Sequence, residues 1–481
     1  MSSQSGPLEG RFPSDPFDAF NTAIQGALLN RGGATVAQQL QDLIRQFEEG
    51  GNTLLPLQIR VMLALNKQFR MIHPRYAVLQ LPGYKARLRV PEWLKELRRR
   101  RQDKGIYANC GDYYVIPRGP LNRHARGEAA SSASDPFDMF DALSVVRRQL
   151  HENGRAIQID FRVIATGGGQ GVLSSAWPGH ERILFAPVAE EASNLILTDI
   201  EHDGQLFVSV ECAKGFSPST RLLDALKSAK PVDIAIAPEF VMPECEADTF
   251  AQNMGKLKTK PPRVTIVGSG PTNATTNSQV WNESRGVNSI GAELWRQRKI
   301  WPAGLSADTA KGLKLRDPGK GLVTEDTACG DTLLVVDIEG LGRCITLICQ
   351  DMHLHPLAEE VLKSHQPDWV FVPILDKGLE IGGWAHQRVF ALSELSHARF
   401  LVVNSSSLGQ TLGHAKTHTC GLAIGPKAAT KDPSSLDVDD KGRQVGVVSV
   451  TLDGTAGTAP AYDIIEWRET DHRWTQTALG A

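Results

Sequence analysis

The stretch Arg343-Cys-Ile-Thr-Leu-Ile-Cys349-Gln-Asp-Met-His-Leu-His-Pro356 decides the fold predicted for this chain. Its aliphatic run from Ile345 to Ile348 is typical of a buried strand. Polar residues and Pro356 end that strand, and the residues that follow have a helical pattern. Cys349 is therefore predicted at the carboxyl end of a strand, where ligands of α/β proteins usually bind. A thiol there is a candidate nucleophile, although a cysteine on a core strand more often only packs.

The bulk composition is that of an ordinary globular protein with two or three units. The chain has 481 residues, of which 41% are hydrophobic and 22% charged, and its net charge of -2 favours neither nucleic acid nor a membrane surface. Seven dispersed cysteines without a C-x-x-C pair predict reduced thiols in a cytoplasmic protein. No apolar run reaches the roughly 18 residues of a membrane span, and the first residues lack a signal-peptide pattern.

Residues 1–190 are predicted to be a mostly helical N-terminal region without a catalytic constellation. Helices are expected at Val36–Phe47, Leu57–Phe69, Glu92–Arg101 and Ala142–Glu152, with a linker at 117–134. The four consecutive arginines 98–101 have no interleaved aromatic residues, which favours a solvated helix face over a nucleic-acid site. This region is expected to serve assembly, substrate access or a protein partner.

The segment Ser14–Phe20 recurs almost letter for letter as Ser134–Phe140. Both copies begin Ser-Asp-Pro-Phe-Asp. The repeat is either a duplicated docking element or two helix starts that use the same capping chemistry, with Phe17 and Phe137 as core anchors.

From about Leu195 the pattern changes to strands that alternate with helices, which predicts a sheet covered by helices. Three reactive side chains follow elements of this region. Glu239 follows the strand Val232–Ala237, Lys299 follows the segment 294–298, and Cys349 ends a third. A thiol needs a base or a cation to become a thiolate, a glutamate can take its proton, and an ammonium can hold an oxyanion.

These residues and their surroundings resemble the nitrilase superfamily of carbon–nitrogen hydrolases. The similar motifs are Pro238-Glu239-Phe240, Arg298-Lys299-Ile300 and Leu347-Ile-Cys349-Gln-Asp351, in the family's order. The resemblance covers roughly residues 200–465. It implies a four-layer αββα sandwich of α/β class over residues 191–481, preceded by the helical region, and a Glu239–Lys299–Cys349 triad.

The resemblance also implies a chemistry. Cys349 would form a thioester with an amide, N-carbamoyl or nitrile substrate, Lys299 and the backbone N–H of Gln350 would hold the oxyanion, and Asp351 would belong to the pocket. Glu325, at the end of a polar insertion at 306–325, is the candidate for the family's second carboxylate. No cofactor or metal is implied, and a homo-oligomer is expected.

Three other functions stay open on the sequence. A metal-dependent hydrolase could use His353 and His355 together with His414, His418 and Cys420. An N-acyltransferase would use the same triad with an amine in place of water. A small-molecule-binding effector would combine the nitrilase-like half with a partner-binding N-terminal region.

Overall fold

The computed structural model of the chain describes residues 18–30, 32–73, 90–118, 142–164, 181–229, 231–379, 382–396, 398–414, 419–426, 445–451, 463–468 and 473–478. The fold is mixed α/β. No helix in these ranges is both long and apolar enough to cross a bilayer.

Four helices open the described chain. They are α1 (Asp18–Leu28), α2 (Gly33–Glu49), α3 (Leu54–Phe69) and α4 (Glu92–Lys104). Apolar residues such as Phe20 and Ile24 recur at helical spacing and bury one face of each helix in a common cluster with Trp93 and Tyr107. Gly105 ends α4 with a φ of 76°, a left-handed conformation that favours glycine. The helices predicted at Val36–Phe47, Leu57–Phe69 and Glu92–Arg101 are confirmed.

The helix predicted at Ala142–Glu152 is wrong, because that segment forms two strands. A three-stranded antiparallel sheet consists of β1 (Ala108–Cys110), β2 (Tyr113–Pro117) and β3 (Leu143–Arg147), and β4 (Gln149–Glu152) follows after one residue. Leu143, Val146 and Leu150 are buried at spacings of three and four, which imitates one face of a helix. The second copy of the Ser-Asp-Pro-Phe-Asp motif and the start of the first copy lie outside the described residues.

The rest of the described chain is made of strands, with helices between some of them. The remaining strands are β5 (Arg155–Ile164), β6 (Arg182–Phe185), β7 (Leu195–His202), β8 (Gln205–Cys212), β9 (Ile234–Ile236), β10 (Val264–Thr276), β11 (Gln279–Asn288), β12 (Glu293–Arg298), β13 (Gly304–Leu305), β14 (Val323–Glu325), β15 (Thr327–Ala328), β16 (Thr332–Ile338), β17 (Gly342–Thr346), β18 (Trp369–Ile374), β19 (Arg399–Asn404), β20 (Thr419–Pro426), β21 (Val445–Thr451), β22 (Asp463–Arg468) and β23 (Arg473–Ala478). The remaining helices are α5 (Pro218–Ser228), α6 (Glu244–Met254), α7 (Ala307–Gly312), α8 (Leu357–His365), α9 (Trp384–Ser396) and α10 (Ser407–Thr411).

Two large sheets organise these strands. The first has the order β21-β20-β19-β18-β17-β16-β5-β4, and the second has the order β12-β11-β10-β9-β6-β22-β23 with β15 beside β11. A small sheet of order β13-β14-β8-β7 stands apart from both. In the first sheet, β17, β18 and β19 run parallel, so their carboxyl ends, and the chain segments that follow them, lie at the same end of the sheet.

Buried apolar clusters define how the layers pack. One cluster joins both large sheets, with Ile183, Ile266 and Trp295 from the second and Val336 and Phe371 from the first. A second cluster lies between the first sheet and helices α8 and α9. A third lies between the second sheet and helices α5 and α6. Helices therefore cover the face of each large sheet that is turned away from the other sheet.

Both large sheets use strands from before residue 191. β5 pairs with β16 in parallel over seven residue pairs, and β4 pairs with β5 at the sheet edge. β6 lies between β9 and β22 in the second sheet. Among the described residues before 191, the helices therefore lie up to Lys104 and strands predominate after it, and the last of these strands belong to the two large sheets.

Candidate active site

Cys349 stands where the sequence predicts it, directly after a buried strand. β17 ends at Thr346, and a short 3-10 turn runs over Cys349–His353 before α8. The backbone φ of Cys349 is +48°, which is uncommon for a residue with a side chain and costs about 1–3 kcal/mol. Such strain persists only where the surroundings fix it, and here the thiol is buried just after the carboxyl end of β17.

Lys299 follows β12 and is enclosed by carboxylates. Its Nζ lies 2.7 Å from Glu239 Oε1, and 2.8 and 2.6 Å from the two oxygens of Glu325. Burial alone would lower the pKa of this ammonium, but the negative charges of Glu239 and Glu325 outweigh burial and raise it. Lys299 is therefore a fixed cation at neutral pH.

Glu239 follows β9 and is held on both carboxylate oxygens. Its Oε1 also accepts a hydrogen bond of 2.9 Å from Asn282 Nδ2, and its Oε2 accepts one of 3.0 Å from the backbone N–H of Leu375. The side chain is fully buried. The next residue, Phe240, has a φ of 59° and places its ring 5.7 Å from Lys299 Nζ.

Glu325, the candidate second carboxylate, is brought to Lys299 by the polar insertion. It ends β14, which pairs with β8 in the small sheet. Its Oε2 accepts a further hydrogen bond of 2.9 Å from the backbone N–H of Ala303. Burial raises the pKa of this carboxyl to about 7, against the opposing effect of Lys299, and the charge of Glu239 adds to the rise.

The charges of Glu239, Lys299 and Glu325 all act on the pKa of the Cys349 thiol. Burial raises its pKa well above the ordinary value, Glu239 raises it further by charge and by a hydrogen bond, and Lys299 opposes them. The resting side chain is therefore a neutral thiol. Such a thiol loses its proton only as an acceptor takes it up, and the Glu239 carboxylate is close enough to act on the pKa of the thiol.

Asp351 holds backbone rather than facing a pocket, which differs from the expectation. Its Oδ1 accepts hydrogen bonds of 3.0 Å from the N–H groups of both Ile300 and Trp301, and its Oδ2 accepts one of 3.1 Å from Ile348. It thus joins the segment after Lys299 to the residue before Cys349. Burial raises its pKa to about 7 against the opposing charge of Lys299. Gln350 is half-buried, and its oxyanion role stays a prediction.

Two contacts of the site were not found in the sequence. Asn282 lies on β11, beside β12, and besides its bond to Glu239 its carbonyl accepts the N–H of Lys299 at 2.8 Å. The strand β11 is mixed in polarity, with glutamate, serine and arginine following Asn282, so no sequence signal marks this asparagine as buried. The Leu375 N–H carries no signal in the sequence, since every non-proline residue has one.

The imidazoles proposed as metal ligands have separate surroundings. His353 is exposed, with its ring 4.9 Å from that of Trp384, and its partial burial lowers its pKa. His355 is exposed and its Nδ1 lies 2.7 Å from a Glu359 oxygen. Within the described ranges, no three histidine, cysteine or acidic side chains are grouped so that they could hold a metal ion. His418 is outside those ranges.

No family model matches the sequence, and no curated protein matches it either. Solved structures of nitrilase-superfamily proteins are similar to this chain. Saccharomyces cerevisiae Nit3, a member of branch 10 of that superfamily, is 12% identical with a TM-score of 0.36 over 58% of this chain and 92% of its own. A mutant amidase from Nesterenkonia sp. AN1, with an acetamide moiety added covalently at its active-site cysteine, is 12% identical with a TM-score of 0.36 over 62% and 95%.

XC1258 from Xanthomonas campestris, a CN-hydrolase superfamily protein, is 15% identical with a TM-score of 0.31 over 63% of this chain and 91% of its own. Identities this low carry no residue role from these proteins to this chain, and the geometry of the site is the evidence for such roles.

Proposed function

We propose that the chain is a nitrilase-type hydrolase of non-peptide carbon–nitrogen bonds that works through a Cys349 thioester. The observation that carries the proposal is the buried Lys299 ammonium within 2.8 Å of two carboxylates, beside a thiol held in left-handed backbone after a strand. In one site shielded from water, the Glu239 carboxylate can act as a base, the Lys299 ammonium can bind an oxyanion, and the Cys349 thiol can act as the nucleophile. The packing of helices outside two facing sheets supports an αββα sandwich as the scaffold.

The first half of the reaction forms the thioester. Glu239 takes the Sγ proton as Sγ attacks the carbonyl carbon, and the carbonyl π electrons move to oxygen. Lys299 and the Gln350 N–H hold that oxyanion. When it collapses, the carbon–nitrogen bond breaks and the leaving amine takes the proton from Glu239, so that Glu239 is again a carboxylate.

The second half releases the acid. Glu239 takes a proton from water as the water oxygen attacks the thioester carbon. The new oxyanion meets the same donors. Its collapse breaks the carbon–sulfur bond, and the thiolate recovers its proton from Glu239. One water is consumed, and one amine and one carboxylic acid are released.

Amides and N-carbamoyl amines suit this site better than nitriles. An amide needs one water for each turnover, whereas complete hydrolysis of a nitrile needs two. The exposed fractions of Glu239, Lys299 and Cys349 are 0, 1 and 7%, so water must be admitted to a nearly closed site. The smaller requirement for water favours the carbonyl substrates.

The test is turnover with trapping of the acyl-enzyme. The protein is incubated with small aliphatic amides, N-carbamoyl amines and nitriles. Release of ammonia or amine is followed, and the acid-quenched protein is mapped by mass for an acyl group on Cys349. We expect turnover that Cys349→Ala lowers by at least about 10³-fold. Cys245→Ala is the matched control because that thiol is exposed and free.

Two outcomes would change the proposal. Full turnover in Cys349→Ala would remove the nucleophile and the mechanism with it. Transfer of the acyl group to an added amine, in preference to water, would replace hydrolysis by N-acyl transfer through the same thioester.

A further inference from the structure

A tight turn upstream of the candidate site reaches two of its segments. β4 and β5 form a hairpin whose two turn residues, Asn153 and Gly154, have φ values of 47° and 77°. Two consecutive left-handed residues make the shortest kind of hairpin turn. Glu152 and Arg155 are paired across it, so their side chains leave the same face of the hairpin. We call these four residues the 152–155 turn.

Arg155 binds the backbone carbonyls of two residues next to Lys299, one along the chain and one across a hydrogen bond. Its guanidinium donates hydrogen bonds of 3.2 Å to the carbonyl of Ile300 and 2.8 Å to that of Gly330. It also stacks on the ring of Trp301 at 5.7 Å. A planar guanidinium can hold two carbonyls at once, and an ammonium cannot copy that geometry.

These carbonyls belong to the residues that fix Lys299. The N–H of Gly330 donates to the carbonyl of Lys299 at 2.7 Å, and Ile300 is the next residue along the chain. The other side of this segment is tied to the Cys349 turn through Asp351. The segment that carries Lys299 is therefore held at two places, by Arg155 through the carbonyls of Ile300 and Gly330 and by Asp351 through backbone N–H groups.

Glu152 binds the segment after Cys349. Its Oε2 accepts a hydrogen bond of 3.2 Å from the N–H of Leu357, the first residue of α8, and the carboxylate is buried. A carboxylate at a helix N-terminus satisfies a free N–H and complements the helix dipole. Three residues separate helix α8 from the end of the 3-10 turn that carries Cys349.

We propose that the 152–155 turn is a positioning device for the candidate site, with Arg155 as a positioning residue for the Lys299 ammonium and Glu152 as one for the Cys349 segment. This inference rests on the proposed function. Neither residue touches the reacting atoms. They act through the backbone on which the cation and the nucleophile are mounted.

The electrostatics of the site give the proposal a measurable consequence. Lys299 is the cation that favours the Cys349 thiolate, while Glu239 and Glu325 oppose it. A loosened Lys299 segment lets the ammonium move from the thiol while both carboxylates stay close. Thiolate formation then needs a higher pH, and the thiol reacts more slowly at any given pH.

The experiment measures the rate at which iodoacetamide alkylates Cys349, by peptide mass mapping of the full chain across a range of pH. We expect the rate at about pH 8 to fall about tenfold in Arg155→Ala, with its pH midpoint moved upward. Arg155→Lys should lie nearer to Arg155→Ala than to wild type. Arg155→Gln, which keeps one donor, serves where the alanine variant does not fold.

Arg148→Ala is the matched control. Arg148 also donates to a carbonyl, that of Gly111 at 3.0 Å, and stacks on an aromatic ring, that of Tyr114 at 5.2 Å, but it does so away from the site. A reactive wild-type thiol whose rate and midpoint are the same in the Arg155 variants would overturn the positioning role alone. A wild-type protein that shows neither amide turnover nor alkylation of Cys349 would overturn the proposed function, and the inference with it.

Discussion

At the scale of single residues, the candidate site is a balance of one cation against two carboxylates. Glu325 helps to hold Lys299, yet its negative charge opposes formation of the Cys349 thiolate. The two effects can be measured separately. The reactivity of the Cys349 thiol depends on the charge of Glu325, and turnover depends on the position of the Lys299 ammonium.

Glu325→Gln should separate these effects. Removal of the charge lowers the pKa of the Cys349 thiol, so alkylation of Cys349 should shift to lower pH. The amide holds the ammonium less strongly than a carboxylate does, so turnover of an amide substrate should fall about tenfold to a hundredfold. Peptide mapping after alkylation and amine release measure the two quantities. Alkylation that shifts to higher pH would show that the loosened ammonium affects the thiol more than the lost charge of Glu325 does.

The backbone of Cys349 gives a second prediction. A residue with a side chain is strained at a φ of +48°, whereas glycine is not. In an ordinary strand or helix, replacing alanine by glycine costs about 0.5–1 kcal/mol. Here Cys349→Gly should be at least as stable as Cys349→Ala in denaturant unfolding. A glycine variant that is less stable by the ordinary amount would mean that the left-handed conformation stores no strain.

His365 gives a prediction about pH and stability. Its imidazole is buried, its Nδ1 lies 3.1 Å from the carbonyl oxygen of Val361, and burial lowers its pKa to about 3. An unfolded histidine has a pKa of about 6.5. Between these values the unfolded chain binds the proton and the folded chain does not, so stability is present above about pH 6.5 and is lost as the pH falls toward 3.

His365→Asn removes this titration while an amide N–H can still reach Val361. Its free energy of unfolding should therefore fall less steeply than that of wild type between about pH 7 and pH 5. Urea unfolding at a series of pH values measures the slopes, and equal slopes would show that His365 does not titrate differently in the two states.

The sequence points to the candidate reactive residues but not to their supports. Glu239 and Cys349 follow apolar runs, Lys299 follows the mixed segment 294–298, and the three carry chemistry that suits one another. Their catalytic roles stay predictions. Arg155 and Glu152 were missed, since they act on backbone atoms of residues far along the chain. No local pattern records a contact across more than a hundred residues. Asp351 was noticed by its spacing from Cys349, but the spacing could not tell whether its carboxylate faces a pocket or binds backbone.

At the scale of elements, the hairpin of β4 and β5 is the part that sequence patterns could least predict. The buried positions 143, 146 and 150 have the spacing of a helix face. The reason is that the chain passes at Arg148 from the three-stranded sheet to the first large sheet. The burial pattern of two short strands in different sheets has no single period. The strands β16 and β18 were predicted well, because layers packed on both of their faces leave a mostly apolar run.

The contact between the hairpin and α8 predicts an effect on stability. Glu152→Ala leaves the N–H of Leu357 without this acceptor in a buried place and should lower the free energy of unfolding by about 1–2 kcal/mol. Glu152→Gln keeps an acceptor oxygen and should lie closer to wild type. Denaturant unfolding of both variants measures this. Equal losses would indicate that the charge of Glu152, rather than its hydrogen bond, stabilises the helix start.

At the scale of the whole molecule, the fold explains how residues far apart in sequence form one site. Glu239, Lys299 and Glu325 follow or end strands of the second large sheet and the small sheet, whereas Cys349 follows the first. The two large sheets pack face to face, so the ends of their strands meet where the thiol, the cation and the carboxylates are found. The strand-and-helix pattern predicted the sheets, but it could not give the pairing of β5 and β6, which come from the first 190 residues.

That pairing predicts opposite results for two truncations. A chain that begins at residue 191 lacks β5, which hydrogen-bonds along the whole of β16, and β6, which fills the gap between β9 and β22. Both large sheets would be interrupted, and we expect no cooperative thermal transition by circular dichroism. A chain that begins at residue 149 keeps every strand of both large sheets, so it should retain a cooperative transition at a lower temperature, because Phe161 and its neighbours lose the cover of α4. A cooperative transition and an alkylated Cys349 in the shorter chain would show that residues 191–481 fold without the earlier strands, and the positioning role of the 152–155 turn would then be dispensable.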